Sequence, residues 1–323
     1  MPPWDRFLEE GLRPASPVRD DPQKSSCGHA GSVDALPSWS QCAAKVALLG
    51  FLRQVTEPGG SFVPPPQRVA TFDIDGTLWC EKPMFPQADF LLRRWREMTQ
   101  AHPGWTTRQP WQAVAEDDQA RLAGILGHVP ALAWGVTEAY EGITTETFEK
   151  GARRFFDIAR HPAFGVPYTS LAYRPMRELI RLLKASKFKV YIAAAGGRDF
   201  IRVISKEMYG VPRERVIGSG PALEYRRGRV WRTRRLEQPI DDRAGKPVHI
   251  WAHTGAMPLL AAGNDDGDTA MLETARFPLL IRHDDAGREF AYDTGSEQAL
   301  SRAKERGWTV VSMQNDFKVV FDL

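Results

Sequence analysis

Apolar positions recur along this chain at two spacings, one helical and one extended, and the spacings alternate. After Pro37, Ala43, Val46, Leu48, Leu49, Leu52 and Val55 fall on one helical face, and the pattern stops before Pro58-Gly59-Gly60. Pro64-Pro65-Pro66 then leads into an apolar run from Val69 that reads as a buried strand. From Phe85 to about Ala172 the sequence turns helical, with Trp95, Trp105, Trp111 and Trp134 among charged residues and breaks at Pro103-Gly104 and at residues 127–130. Tyr173–Lys187 predicts an amphipathic helix, carrying Met176, Leu179, Ile180, Leu182 and Leu183, and Phe188–Ala193 a strand. A helix is expected over Phe200–Tyr209, strands at Arg215–Ile217, Leu259–Ala262 and Pro278–Ile281, and a helix at Ala270–Ala275. Leu223–Arg235 reads as a hairpin turning at Arg227-Gly228, while Val248–Trp251 fits either period.

Strands alternating with helices predict an α/β fold, a doubly wound parallel sheet covered on both faces. Ligands of such sheets gather at the carboxyl ends of the strands, where Asp73, the stretch 194–197 and the stretch 264–268 all fall. The helical block lies between one strand and the next strand–helix unit, where a lid is inserted; the alternative is that these helices complete the core.

With 323 residues the chain holds one large domain or two modest ones, and its formal charge of +3 gives no reason to expect nucleic-acid or membrane binding. No run approaches the length of a membrane span. Cys27, Cys42 and Cys80 lack metal-ligand spacing and an even count, which fits a reducing compartment, and a cytoplasmic location is expected. Residues 1–37 are rich in Pro, Ser, Gly and charge, with Asp5, Glu9 and Glu10 early and no apolar segment of a signal peptide. They read as a disordered extension with one helical turn near Trp4–Leu12. Oligomeric state is not legible.

The densest chemistry lies in Val69–Thr77, which reads V-A-T-F-D-I-D-G-T. Extended geometry turns Asp73 and Asp75 to one side and Ile74 to the other. Two such carboxylates repel unless a cation lies between them, and oxygen-only ligands suit Mg²⁺. Gly76 permits a sharp turn, and Thr77 offers a hydroxyl and an N–H to an anion. The plainer alternative is a polar turn after a strand.

Phe72–Leu78 resembles the first motif of the haloacid dehalogenase superfamily, most of whose members are Mg²⁺-dependent phosphatases. The stretch 174–209, Gly245-Lys246-Pro247, the run 263–268 and the tail 307–311 resemble its phosphoserine-phosphatase-like branch, in order over roughly residues 36–323. The resemblance implies a catalytic core of residues 38–84 and 173–323 and a helical cap of residues 85–172. It implies that Asp73 is a nucleophile forming an aspartyl-phosphate and that Asp75 is the general acid/base. The metal is then held by the Asp73 carboxylate and the Asp75 carbonyl, and Lys246 clamps the phosphate. Asn264 stands where the family usually has Asp, with Asp268 four residues on; both complete the metal shell, and Asp265 and Asp266 are ligands or orienters.

One departure concerns the strand end, where the family has Ser or Thr. Here Ala193-Ala194-Ala195-Gly196-Gly197 carries no hydroxyl, and the missing group is expected at Ala194. Backbone N–H groups of Ala195, Gly196 and Gly197 remain for the phosphate. One lost hydrogen bond to a charged group costs about 1.5–3 kcal/mol. Glu81 begins the cap and contacts a substrate amine or hydroxyl, or is a solvated linker residue. Six arginines lie within residues 226–235, around Trp231; they attract an acidic ligand or form a solvated hairpin. The expectation is a phosphatase for small phosphomonoesters, since a cap of this size excludes macromolecules. The alternative is a weakened relative that binds a phosphorylated ligand or partner, and a third reading transfers the phosphoryl group to an acceptor other than water.

Overall fold

Six largely apolar strands build one sheet, and every pairing in it is parallel. The computed structural model describes residues 34–323. The expected extension, with its helical turn near Trp4–Leu12, therefore lies outside the described residues except at its last four positions. Among those, Leu36 is fully buried, and nearby Trp39 packs edge-on against Phe317 with ring centroids 5.0 Å apart. Leu36 thus packs into the core although it precedes the expected boundary at residue 38.

The strands are β1 (Val69–Phe72), β2 (Lys189–Gly197), β3 (Val216–Ser219), β4 (Pro221–Arg226), β5 (Arg229–Leu236), β6 (Leu260–Gly263), β7 (Phe277–Arg282) and β8 (Thr309–Ser312). The sheet order is β3-β2-β1-β6-β7-β8, while β4 and β5 form a separate antiparallel hairpin. Helix α1 (Ala43–Thr56) precedes β1. Between β1 and β2 come α2 (Pro86–Ala101), α3 (Trp111–Ala115), α4 (Gln119–Leu126), α5 (Val129–Ala139), α6 (Thr145–Ile158) and α7 (Arg174–Ala185). Then follow α8 (Arg198–Arg202), α9 (Ser205–Tyr209), α10 (Gly245–Thr254), α11 (Thr269–Glu273), α12 (Glu297–Arg306) and α13 (Met313–Asp316).

Adjacent strand residues face opposite layers, and both layers are packed. Ala70, Phe72, Ile192 and Ala262 join Leu48, Leu52, Leu179 and Leu183 on one side. Ala193, Ile217, Ala261 and Leu280 join Ile250, Met271, Leu272, Ala299 and Ala303 on the other. This is the expected doubly wound parallel sheet, and α2 to α6 are the helical insert between β1 and β2. The insert packs around Phe90, which stacks on Tyr140 at 5.0 Å and lies 5.1 Å from Phe200 of α8, so its core continues into that of the sheet. The hairpin adds Gly142 N–H to Arg232 O and Arg232 N–H to Ile143 O, both at 2.9 Å.

Two elements differ from expectation, and one open reading is decided. The 200–209 helix is broken into α8 and α9, β2 runs on to Gly197 with shifted register after Ala194, and the ambiguous 248–251 stretch lies inside α10. Among the described residues no helix is long and apolar enough to cross a membrane.

Candidate active site

The turn after β1 is held by its own backbone. Asp73 N–H still reaches Ala262 O of β6 at 2.9 Å, and the N–H groups of Thr77, Leu78 and Trp79 all return to Ile74 O at 2.8–3.3 Å. Gly76 has φ +75°, and a Cβ there would lie 2.1 Å from Asn264 Nδ2, so only glycine lets the turns after β1 and β6 meet. Ile74 is fully buried, and the turn brings Asp73 and Asp75 to one cavity of about 30 Å³. Lys246, Ala195, Gly196, Asp265 and Glu81 line it too, joined by Asp242 and by Phe85, Val129 and Leu132 from the helical side.

Lys246 stands in the first turn of α10. Its neighbour Gly245 is required as well, since a Cβ there would meet Ile240 O at 1.9 Å. Lys246 Nζ donates to Asp73 Oδ1 at 2.5 Å and to Asp268 Oδ1 at 2.6 Å, with all three side chains buried. Burial works against the ammonium, but Asp268, Asp73, Asp241 and Asp265 outweigh it and hold the lysine charged. Burial and then the charge of Asp268 push Asp73 up against the pull of Lys246, and the same two causes push Asp265 up. Burial raises Asp75 to about 7, although Trp79 Nε1 donates to its Oδ1 at 2.7 Å and favours the ionised form. The cavity is therefore short of positive charge.

Several predicted residues lie elsewhere or serve differently. Thr77 is fully buried and outside the cavity lining; its hydroxyl donates to Asn264 Oδ1 at 2.9 Å and its N–H to Ile74 O, so neither is left for an anion. Asp268 Oδ2 accepts from Asn264 N–H at 2.8 Å, tying the acidic turn while Oδ1 holds Lys246. Asp266 Oδ1 accepts from Ala299 N–H at 2.8 Å, within the first turn of α12, so it orients an element away from the cavity. Ala194 is fully buried and does not line the cavity, whereas the equally hydroxyl-free Ala195 does. Gly197 N–H is taken by Gln87 Oε1 at 2.7 Å. Glu81 is buried and accepts from Tyr292 O–H at 2.7 Å, so it is not a solvated linker. Of the hairpin arginines, Arg232 is buried and reaches Asp199 Oδ2 at 2.7 Å.

Sequence reasoning missed Asp242 and Gln87, although the pair Asp241-Asp242 just before Gly245-Lys246 was a readable signal. It also missed the support under the turn. His283 spans Gly76 O at 2.8 Å and Glu289 Oε2 at 3.2 Å, and Tyr173 O–H donates to Glu289 Oε1 at 2.8 Å. Nothing in these scattered residues signals the assembly.

Among the described residues no three His, Cys, Asp or Glu side chains are grouped to hold a metal. The donors nonetheless suit a hard cation. Asp73 and Asp265 both line the cavity, and burial and then the charge of Asp268 push both carboxyls up, a state that a bound cation would relieve.

A family model for haloacid dehalogenase-like hydrolases matches residues 70–273. No curated protein matches the chain. Among solved structures, a protein of unknown function from Bordetella pertussis Tohama I is similar at 19% identity, over 76% of this chain and 98% of that one, with a TM-score of 0.52. A conserved, functionally unknown protein from Anaerococcus prevotii DSM 20548 is similar at 14% identity, over 85% and 94%, with a TM-score of 0.56. A phosphoserine phosphohydrolase-like protein from Francisella tularensis subsp. tularensis SCHU S4 matches at 14% identity, over 76% and 94%, with a TM-score of 0.43. At these identities the first two likenesses concern the fold alone, and the third is too distant to support an argument.

Proposed function

The chain belongs to the haloacid dehalogenase-like hydrolase family, and from that premise we propose that it is a Mg²⁺-dependent phosphatase of small phosphomonoesters. The observation that carries this reading is buried Lys246 shared by Asp73 and Asp268, beside an Asp75 poised at about 7. Asp73 attacks phosphorus as the bond to the leaving oxygen breaks, and Asp75 gives that oxygen its proton. An aspartyl-phosphate on Asp73 results. Asp75, now ionised, takes a proton from water, which attacks phosphorus, releases phosphate and restores Asp73. Lys246 and the N–H groups of Ala195 and Gly196 offset charge on the phosphoryl oxygens.

Mg²⁺ would be held by Asp73, Asp265 and the Asp75 carbonyl, and supplies positive charge to a cavity that lacks it. Asp268 and Asn264 then act behind it, one fixing Lys246 and the other fixing the Gly76 turn. The rival reading, binding without turnover, is favoured by the hydroxyl-free Ala195 and by the capture of Gly197 N–H by Gln87.

The test is phosphate release from a panel of small phosphomonoesters with Mg²⁺, with EDTA and with Asp73→Asn. Metal-dependent release that Asp73→Asn abolishes is expected. No release from a folded chain at high concentration would replace this reading with the binding one.

A further inference from the structure

A groove of about 470 Å³ runs between α2 and α6 of the helical insert and shares no lining residue with the active-site cavity. Phe90, Tyr140 and Phe155, each at least nine-tenths buried, give it an aromatic wall. Arg93, Arg94 and Arg154 bring positive charge to it, against one acid, Glu97. We propose that this groove is a binding site for an organic monoanion with an apolar body.

Polar groups on the wall are unused. Arg154 forms no hydrogen bond or ion pair among the described residues, and the Tyr140 hydroxyl forms no hydrogen bond among them. Burial pushes the Tyr140 hydroxyl up, so it stays a neutral donor. The charges also leave a remainder. Arg93 donates twice to Asp89, at 3.0 Å each, and lies over the Phe155 ring. Arg94 donates to Glu97 at 3.1 Å and lies over the Tyr140 ring. With those two matched by acids, Arg154 is the positive charge left over. One anionic group balances it; a cation is repelled, and a second anionic group finds no partner. Gly151 points the same way. It stands in the middle of α6, where glycine weakens a helix. A Cβ there would meet no neighbouring side chain or other element within 4 Å, so no close packing requires the glycine. Its effect is to leave the groove open. An apolar body laid there covers the aromatic wall and releases water from it.

The experiment is calorimetric titration of the native chain with 2-naphthoate, 2-naphthylmethanol, 2-naphthylmethylammonium and acetate. Naphthoate is expected to bind about tenfold or more tightly than its neutral and cationic counterparts, and than acetate, which has the charge without the body. Naphthalene-2,6-dicarboxylate should bind no tighter than naphthoate. Arg154→Gln removes the unmatched charge and should cut naphthoate affinity about tenfold while leaving naphthylmethanol unchanged. Gly151→Leu fills the groove on a helix that it strengthens, and should cut both affinities about tenfold or more. Thermal melts establish that both variants are folded. Binding is read directly, so the result stands apart from any turnover at Asp73. Absence of naphthoate binding, equal affinity for acid, alcohol and amine, or a naphthoate affinity that either folded variant leaves unchanged overturns the site.

Discussion

Thr77 donates its hydroxyl hydrogen to Asn264 Oδ1 at 2.9 Å, joining the turn after β1 to the turn after β6. The neutral Asn264 thereby acts as a brace, and Gly76 lies against its amide. Gly76→Ala would force φ +75° on an L-residue and set a Cβ 2.1 Å from Asn264 Nδ2. The backbone strain alone costs about 1–3 kcal/mol. Thermal unfolding should fall accordingly, and kcat/KM should drop more than tenfold as Asp73 and Asp75 lose their alignment.

Serine placed at 194 and at 195 should give opposite results. Ala195 lines the cavity, so Ala195→Ser adds a hydroxyl beside the phosphate and should raise kcat/KM about tenfold or more, the equivalent of one charged hydrogen bond. Ala194 is fully buried, and Ala194→Ser should instead lower stability by about 1–3 kcal/mol for an unsatisfied hydroxyl. Steady-state kinetics with denaturant melts on both variants checks the assignment.

Trp79→Phe removes the indole N–H that favours the ionised form of Asp75. Asp75 must be protonated to serve the leaving group, so kcat/KM should fall as pH rises through about 7, and the variant's fall should begin at higher pH. Its maximal rate should drop about two- to tenfold, the equivalent of one ordinary hydrogen bond. A pH–rate profile that does not move would remove Trp79 from this role.

Asp241 makes stability depend on pH. Its carboxyl is fully buried with neither oxygen paired, and burial raises it to about 7 from the usual 3.8. The folded chain therefore holds this proton more tightly than the unfolded one. The group's contribution is fully present below about pH 4 and is lost as pH rises to about 7, by at most about 4 kcal/mol at roughly 1.4 kcal/mol per unit. Asp241→Asn removes the dependence. Relative to native, its midpoint of urea unfolding should improve between pH 5 and pH 8.

The sequence by itself marked the alternation of strands and helices as far as the strand at residues 278–281 and the inserted helical block, but not β8 or the helices on either side of it. It also marked Asp73, Asp75, Lys246 and Asp265, which the cavity brings together. These were legible because hydrophobic period is local and because the acidic residues sit next to the strand ends that carry them. Only the tertiary structure decided what each side chain faces. Ala194 and Ala195 are chemically identical, and their places in the packed strand bury the one and set the other at the cavity. Val248–Trp251 fits either period, and its place inside α10 sets Lys246 in a first helical turn aimed at Asp73. Asn264 and Asp268 read as metal ligands and Thr77 as an anion contact, yet two turns distant in sequence meet and use these polar atoms on each other and on Lys246. Hydrogen-bond partners and burial belong to the packed chain, and no local pattern encodes them.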